Sequence, residues 1–190
     1  DVKILRLFNT YGPRMALDDG RVVTSFVLRA LRGQPLQIFG DGSQRRSFCY
    51  VADLIEGLIA TIGVDGCNGP INLGSPREIS ISELAKKVIS LSGSTESTIQ
   101  NTTATGEATR RCPDITRARK LLGFEPRIEL PTGLELTIAD FARRLVANNE
   151  QLVAQLPARI VNADESDELQ PPPPSSNLGR KAGVISANSP

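Results

Sequence analysis

The most informative part of the sequence is residues 39–53, Phe39-Gly40-Asp41-Gly42-Ser43-Gln44-Arg45-Arg46-Ser47-Phe48-Cys49-Tyr50-Val51-Ala52-Asp53. It continues a short apolar strand pattern, breaks at two glycines and then enters an apolar helix pattern. Glycines in such a turn let a ligand approach the main chain, and paired guanidinium groups form forked hydrogen bonds to phosphate or carboxylate oxygens. The stretch therefore predicts either a site for an anion with a planar head, such as a nucleotide, or a surface hairpin with two solvated arginines.

The two arginines of this stretch are expected to face opposite sides. Neighbouring side chains on an extended segment point to opposite faces, so Arg45 and Arg46 cannot both contact one ligand. We expect Arg46 to share the buried, ligand-facing side with Phe48 and Tyr50, and Arg45 to point outward with Ser47 and Cys49.

Strand and helix patterns alternate around this stretch, which is typical of an α/β fold. The near-continuous apolar run at residues 2–8 predicts a strand buried on both faces of a parallel sheet. Asn9 and Thr10 follow it directly, and in open α/β sheets ligands bind just beyond the carboxyl ends of the strands. Those two residues are therefore candidates for ligand contact, with simple satisfaction of loop backbone groups as the alternative.

Capping patterns predict where several helices begin and end. Asp53 with Glu56 and Ser80 with Glu83 both have the spacing of a capping box. Thr132 is expected to begin the last helix, which can run to about residue 148 or, as the alternative, to Leu156. Glycines are expected to end three of the helices in a left-handed conformation, at Gly33, Gly93 and Gly123.

Helical spacing of apolar residues predicts which faces are buried. In the helix after Asp53, one face is expected to consist of Leu54, Ile55, Leu58, Ile59 and Ile62. In the last helix, the inward residues are expected to be Leu134, Ile138, Phe141 and Leu145.

Composition excludes several classes of function. The 190 residues contain 39% hydrophobic and 23% charged residues with a net charge of +1, so no overall field favours nucleic acid or a membrane surface as partner. The sequence has no histidine, which removes His-based general bases and most zinc sites, and we expect no metal. Its three cysteines are far apart and are expected to be reduced, and no apolar run approaches the roughly 20 residues of a membrane span.

The chain divides into three parts by composition. Residues 1–147 carry the α/β pattern, and 148–156 form a helix end or linker. Residues 157–190 contain an acidic run at 164–168 and four prolines at 171–174, and such a segment cannot bury enough apolar surface to fold. We expect a disordered tail there.

Three segments resemble a known family in their order and spacing. They are Arg6-Leu7-Phe8-Asn9-Thr10-Tyr11-Gly12-Pro13-Arg14-Met15, Asp19-Gly20-Arg21-Val22-Val23, and the stretch from Gly40 to Val51. Together they resemble the C-terminal half of the UDP-glucuronate decarboxylases, which are NAD-dependent extended short-chain dehydrogenases/reductases of the epimerase/dehydratase type. Residues 72–75, 111–114 and 121–124 fit the same family, so that the resemblance covers about residues 1–147.

The resemblance implies the fold class and the chemistry. It implies the C-terminal part of a Rossmann-type doubly wound parallel sheet, with a small mixed α/β lobe that grips a UDP-sugar. In this family, bound NAD oxidises the sugar at C4, the resulting β-keto acid loses carbon dioxide, and NADH reduces the ketone to give UDP-xylose. A homodimer in the cytoplasm is implied as well, or a Golgi location if a membrane anchor precedes this sequence.

The resemblance also assigns roles to individual residues. The substrate contacts would be Asn9 near the sugar or phosphates, Phe39 near the uracil, Gln44 and Arg46 at the ribose, diphosphate or carboxylate, and Arg111 over the diphosphate. Thr10 and Arg21 would lie against the cofactor.

Two motifs of the family are missing from this sequence. No Gly-x-x-Gly-x-x-Gly follows a strand pattern, and neither Tyr11 nor Tyr50 has a lysine four residues later. No catalytic residue is therefore assigned here, the sequence is expected to be a piece of something longer, and the piece alone is expected to be inactive. A UDP- or dTDP-sugar epimerase or dehydratase and a truncated non-catalytic binding module remain as alternatives.

Overall fold

The computed structural model describes residues 2–65, 69–94, 99–102 and 110–148, with the side chains of 99–102 excepted. The predicted tail at 157–190, and the predicted linker beyond residue 148, lie outside these residues. The described elements, in chain order, are β1 (Leu5–Leu7), β2 (Thr10–Tyr11), α1 (Val22–Leu31), β3 (Leu36–Phe39), β4 (Arg45–Ser47), β5 (Cys49–Tyr50), α2 (Val51–Ile62), β6 (Ile71–Leu73), β7 (Glu78–Ser80), α3 (Ile81–Ser92), β8 (Ile99–Thr102), β9 (Arg110–Arg111), α4 (Thr116–Leu122) and α5 (Leu130–Ala147).

The strands pair mostly in parallel, which confirms the α/β class. Strand β1 pairs with β6, β2 with β5 and β3 with β8, all in parallel. A separate mixed sheet has the order β7-β4-β9, in which β4 runs antiparallel to β7 and parallel to β9. This mixed sheet places the arginine stretch at its centre.

The buried apolar residues form two clusters. The first, called here the lobe core, joins α1, α3 and α5 to β3 and includes Phe26, Leu36, Leu84 and Phe141. The second, called the sheet core, lies between β6, α2 and α4 and includes Leu54, Ile71, Leu73, Ile115 and Phe124.

The capping predictions hold for one helix and fail for another. The Ser80–Glu83 capping box is present at α3, and Gly33, Gly93 and Gly123 have the left-handed φ values expected of helix ends. The Asp53–Glu56 box is wrong. Helix α2 begins earlier, after Tyr50, and Asp53 accepts hydrogen bonds from the backbone N–H groups of residues 127 and 128, both at 3.0 Å. The carboxylate of Asp53 therefore bonds a distant segment of the chain and not the N-terminus of its own helix.

Helix α5 begins at Leu130, two residues before the predicted Thr132, because proline is well tolerated in the first turn and Pro131 occupies it. It ends at Ala147, which agrees with the nearer of the two predicted ends, and its four predicted inward residues are all fully buried. No helix among the described residues is both long and apolar enough to cross a membrane.

Burial was predicted too broadly for β1 and α2. The strand spans three residues where seven were expected, and Leu7 is 53% exposed. In α2, Leu54 is buried, but Ile55, Ile59 and Ile62 are 46%, 61% and 76% exposed. Periodicity shows which side chains share a face, whereas burial also requires a neighbouring element to cover that face.

Candidate functional site

The turn between β3 and β4 brings Phe39 and Gln44 together. Asp41 Oδ1 accepts hydrogen bonds from the backbone N–H of Ser43 at 2.9 Å and from its hydroxyl at 2.7 Å, which closes the turn. Gly42 has φ +77°, and a Cβ there would lie 3.1 Å from the Cβ of Ser82, so this position requires glycine. Gln44 Nε2 then donates to the carbonyl oxygen of Phe39 at 2.5 Å.

The other amide atom of Gln44 is left without a partner. Its Oε1 is buried and accepts no hydrogen bond from the described residues. Because the carbonyl of Phe39 can only accept, the amide orientation follows from the chemistry of its neighbour. A buried acceptor without a donor costs roughly 1–3 kcal/mol. The Phe39 ring beside it is 52% exposed and offers a flat surface for stacking.

Arg46 and Arg111 lie side by side on the mixed sheet. They are Cα partners across the parallel pair of β4 and β9, although 65 positions separate them in the sequence, and partners of this kind project from the same face. Arg46 is only 5% exposed, and its Nη1 donates to the backbone oxygen of Arg45 at 2.9 Å. Arg111 is exposed at the sheet edge. Arg46 and Arg111 thus share one face of the sheet.

The opposite face carries a separate charged group. Arg45 is exposed, and its Nη2 donates to the backbone oxygen of Glu78 at 3.3 Å. Arg110 donates through Nε and Nη2 to the two carboxylate oxygens of Glu78, both at 2.7 Å. These hydrogen bonds hold the pKa of Glu78 below its usual range. The surface-hairpin alternative is therefore right for Arg45 and wrong for Arg46.

One detail of the predicted alternation is wrong. Ser47 and Cys49 were expected to point outward with Arg45, but they are 2% and 1% exposed. The extended segment is divided between two ladders, since β4 ends at Ser47 and β5, which pairs with β2, begins at Cys49. Alternation along β4 does not reach Cys49, which lies beyond this break. Ser47 lies within β4 on the same face as Arg45 and is nevertheless buried.

Asn9, Thr10 and Arg21 form a second group at the carboxyl end of β1. Thr10 Oγ1 donates to the carbonyl of Phe8 at 2.9 Å, and Arg21 Nη1 donates to the carbonyl of Thr10 at 3.3 Å. Arg21 Nε also bonds Asp19 at 2.6 Å. Partial burial favours the protonated form of Asp19, but hydrogen bonds from Arg21 and other donors outweigh it and hold the pKa of that carboxyl below its usual range.

A backbone hydrogen bond joins the second group to the arginine stretch. The Cys49 N–H donates to the carbonyl of Asn9 at 2.8 Å, and Thr10 is the Cα partner of Cys49 in the pairing of β2 with β5. The predicted site residues thus lie in the β3–β4 turn, on one face of the mixed sheet and at the carboxyl end of β1. Residues 45–49 connect the mixed sheet to the end of β1.

Sequence reasoning missed the buried tyrosine behind these groups. Tyr11 is 1% exposed, its ring packs edge-on against Phe48 and Tyr50, and its hydroxyl donates to the carbonyl of Leu130 at 3.4 Å. Burial, reinforced by the neighbouring Tyr50, raises the pKa of Tyr11 above its ordinary value, so this phenol stays protonated. A single tyrosine in a two-residue strand carries no periodic signal that could reveal its burial.

The helix contacts of the loop after Tyr11 were missed as well. Arg14 has φ 65°, its backbone N–H donates to Asp140 Oδ2 at 3.0 Å, and Arg144 Nη1 donates to the carbonyl of Met15 at 2.7 Å. The Gly12-Pro13 pair is typical of a loop. It carried no information about the helix, more than 120 residues later, that holds the loop.

The described residues contain no group of three or more His, Cys, Asp or Glu side chains that could hold a metal ion. One Gly-x-x-Gly-x-x-Gly spacing does occur in the sequence, at Gly63, Gly66 and Gly69. It follows helix α2 and precedes strand β6, whereas a dinucleotide-binding loop follows a strand and opens a helix. That spacing is therefore not a dinucleotide-binding loop.

Comparison with known proteins identifies relatives over most of the chain. Residues 1–74 match the model of the NAD dependent epimerase/dehydratase family. UDP-glucuronic acid decarboxylase 4 of Arabidopsis thaliana is 45% identical over 151 residues, which are 80% of this chain and 34% of that protein. UDP-glucuronic acid decarboxylase 1 of Xenopus tropicalis is 43% identical over 162 residues, or 84% of this chain and 38% of that protein. The chain thus spans little more than a third of the length of these relatives.

A solved structure agrees with the sequence comparison. The crystal structure of UDP-glucuronic acid 4-epimerase from Bacillus cereus, in complex with UDP-glucuronic acid and NAD, superposes with a TM-score of 0.68 at 32% identity. The match covers 75% of this chain and 45% of the epimerase chain.

Proposed function

Because this chain belongs to the NAD-dependent epimerase/dehydratase family, we propose that the whole protein decarboxylates UDP-glucuronate to UDP-xylose and that these residues grip the UDP-sugar. The observation that carries the proposal is the pair of Arg46 and Arg111 on one face of the mixed sheet. Two arginines in register on one face of a sheet suit the oxygens of a diphosphate, which arginine binds through forked hydrogen bonds.

Three further residues complete the proposed substrate contacts. Phe39 presents an exposed ring to the uracil, and Gln44, which bonds the carbonyl of Phe39, lies against the ribose or the diphosphate. Asn9, at the carboxyl end of β1, contacts the sugar or phosphates. Arg46 is nearly buried, so its charge-assisted hydrogen bonds are shielded from water and are strong.

Thr10 and Arg21 are the residues of this chain that fit an NAD molecule. Arg21 is held at the carboxyl end of β1 by Asp19 and by the carbonyl of Thr10, which is where ligands of α/β sheets bind. NAD supplies the hydride acceptor that makes the sugar C4 a ketone and later returns the hydride. The C4 ketone then takes up the electrons released when the carboxylate leaves as carbon dioxide.

The 190 residues alone are proposed neither to bind NAD tightly nor to turn over UDP-glucuronate. The glycine-rich loop that cradles the NAD pyrophosphate at a helix N-terminus, and the Tyr-x-x-x-Lys pair, are not among them. A micromolar dissociation constant for NAD, measured by calorimetric titration of this chain, would contradict that proposal.

Binding of UDP to this chain tests the substrate site directly. Arg46→Ala should weaken UDP binding about ten- to hundredfold, since a desolvated charge-assisted hydrogen bond is worth roughly 1.5–3 kcal/mol. Arg46→Lys should recover little, because it keeps the charge and loses the fork. Arg45→Ala is the matched control and should cost less than a factor of about three, as an exposed charge would. Equal losses for Arg45→Ala and Arg46→Ala in calorimetry, with both variants folded by circular dichroism, would refute the site.

Turnover can be tested in a chimera. Residues 1–147 would replace the matching segment of the Xenopus tropicalis decarboxylase, and the purified chimera would be given UDP-glucuronate. The expected products are UDP-xylose and carbon dioxide. Failure of a folded chimera to release carbon dioxide would contradict the proposal that this chain supports decarboxylation.

The second candidate is epimerisation of a UDP-sugar. It is favoured by the likeness to the Bacillus cereus epimerase, whose crystals contain UDP-glucuronic acid itself. The chimera assay separates the two reactions, because an epimerase gives the C4 epimer of UDP-glucuronate with no loss of carbon. The homodimer, the cytoplasmic location and the alternative Golgi location stay predictions.

A further inference from the structure

The loop after β2 contains an unfavourable backbone conformation. Arg14 has φ 65°, and it is the one non-glycine residue with positive φ in the described part of the chain. A residue with a Cβ adopts the left-handed region at a cost in free energy and stays there only when its surroundings hold it. The position is notable because the loop lies between Asn9 and Thr10 on one side and Asp19 and Arg21 on the other.

Helix α5 holds this loop through two side chains. Asp140 Oδ2 accepts a hydrogen bond from the backbone N–H of Arg14 at 3.0 Å. Arg144 Nη1 donates both to the same Asp140 oxygen, at 3.1 Å, and to the carbonyl of Met15, at 2.7 Å. The Arg144 guanidinium also lies over the ring of Phe141, 5.6 Å from its centroid. We call Asp140 and Arg144 the α5 clamp.

Asp140 and Arg144 bond the loop as well as each other, so their role is not limited to stabilising α5. Asp140 is only 9% exposed, and it directs its charge to a main-chain N–H of the strained residue. Arg144 lies one turn later on the helix and so bonds both the acid and the following carbonyl. A simple ion pair on a helix surface would need neither contact with residues 14 and 15.

We propose that Asp140 and Arg144 are positioning residues that hold Arg14 in its left-handed conformation and thereby fix the 12–15 loop, and through it Asn9, Thr10 and Arg21, for the UDP-sugar and the cofactor. The inference rests on the proposed function for its ligand. The clamp itself does not touch the ligand and acts through the backbone of Arg14 and Met15.

The first experiment measures the loop without any ligand. Trypsin cleaves after Arg14, and the clamp should protect that bond in the folded chain. Asp140→Asn and Arg144→Met should each speed cleavage between Arg14 and Met15 about tenfold relative to cleavage after Lys86, an exposed residue on α3. Arg119→Met, which removes an exposed ion pair with Glu125, is the matched control and should change neither rate. An unchanged ratio in both clamp variants would overturn the proposal.

The second experiment measures the effect on the site. UDP-glucuronate is titrated into wild-type protein and into Asp140→Asn, and the variant should bind about three- to tenfold more weakly. Adding Arg14→Gly to Asp140→Asn should restore most of the affinity, because glycine adopts the left-handed conformation without cost. A merely structural role of Asp140 would not be rescued by a glycine at a residue whose backbone it bonds.

The outcomes separate this inference from the proposed function. No binding of UDP-glucuronate by the wild-type chain would count against the proposed function, and the cleavage ratio would still decide whether the clamp exists. Wild-type affinity in a variant whose loop is cleaved rapidly would overturn the positioning role. Failure of Arg14→Gly to restore the affinity would show that Asp140 does not act through the backbone of Arg14.

Discussion

The lobe core and the sheet core differ in how completely their helices are covered. In the lobe core, the inward residues of α3 and α5, such as Leu84 and Phe141, have no exposed surface. In the sheet core, α2 buries Leu54 but leaves Ile59 61% exposed, and β1 leaves Leu7 53% exposed. The helices of both regions have the same apolar period. The spacing of apolar residues therefore identifies one face of a helix, whereas the neighbouring elements determine whether that face is buried.

The largest expected effect is a cavity in the lobe core. Phe141→Ala should lower the free energy of unfolding by about 3–5 kcal/mol, because the ring is fully buried between helices and its loss leaves a void. Val146→Ala, at a 58% exposed position of the same helix, should change it by less than about 0.5 kcal/mol. Urea denaturation of both variants measures the contrast, and similar losses would show that α5 is not packed as described.

The next effect concerns the connection between the two cores. Asp53, on α2, holds the backbone of residues 127 and 128 that lead into α5. Asp53→Ala should cost about 3 kcal/mol, since it removes a charged acceptor and leaves two N–H groups unpaired. Glu56→Gln, which weakens only the exposed pair with Arg127, should cost less than about 1 kcal/mol. Equal losses of unfolding free energy for the two variants in chemical denaturation would contradict the difference in burial between the two carboxylates.

Each core also contains a glycine that leaves no room for a side chain. A Cβ at Gly133 would lie 2.2 Å from the hydroxyl oxygen of Tyr11, and one at Gly57 would lie 2.7 Å from the Phe124 ring. Alanine at either position should cost about 1–3 kcal/mol through overpacking. Gly63→Ala is the control, because its Cβ meets nothing within 4 Å and its φ of −84° suits alanine. If thermal unfolding showed the same loss of stability for Gly63→Ala as for alanine at Gly57 and Gly133, the close packing at those two glycines would be contradicted.

Alkaline pH should weaken both cores. Burial raises the pKa of Cys49 from 9.0 to about 12 and raises that of Tyr11 above its ordinary value. Both groups stay neutral in the folded chain and ionise earlier in the unfolded chain, so their contribution is complete below about pH 9 and is lost as pH rises toward 12. One such group changes the free energy of unfolding by up to about 1.4 kcal/mol per pH unit.

Cys49→Ala should therefore flatten the fall in stability between pH 9 and 11, measured as the denaturant midpoint at each pH. Cys112→Ala, at a half-buried thiol, should flatten it less. Identical slopes for wild type and Cys49→Ala would mean that the Cys49 thiol is not shielded from water.

The smallest expected effect lies on the exposed face of α2. Ile59→Ser should change the free energy of unfolding by less than about 0.5 kcal/mol, because the side chain is mostly exposed already. It should also reduce self-association at high protein concentration, since an exposed apolar stripe promotes contact between molecules. Light scattering and urea denaturation together check this, and a loss above about 2 kcal/mol would show that Ile59 is covered by packing.

Much of the fold was determined by local sequence. Three of the glycine helix ends and the Ser80–Glu83 box were predicted because each depends on residues within one turn of the helix. The outward direction of Arg45 and inward direction of Arg46 followed from the alternation of an extended strand. The order of strands and helices, and the segments that resemble the family, also lie in contiguous sequence.

The contacts that join distant parts of the chain depend on how the elements pack and have no signal in the local sequence. The adjacency of Arg46 and Arg111, the bonds from Asp53 to residues 127 and 128, and the α5 clamp on Arg14 each span between 65 and about 130 residues. No local pattern encodes such partners, because a hydrogen bond or a parallel register depends on which elements pack together after the chain has folded. The exposure of Ile59 has the same origin, since a helix cannot specify by its own period what will cover it.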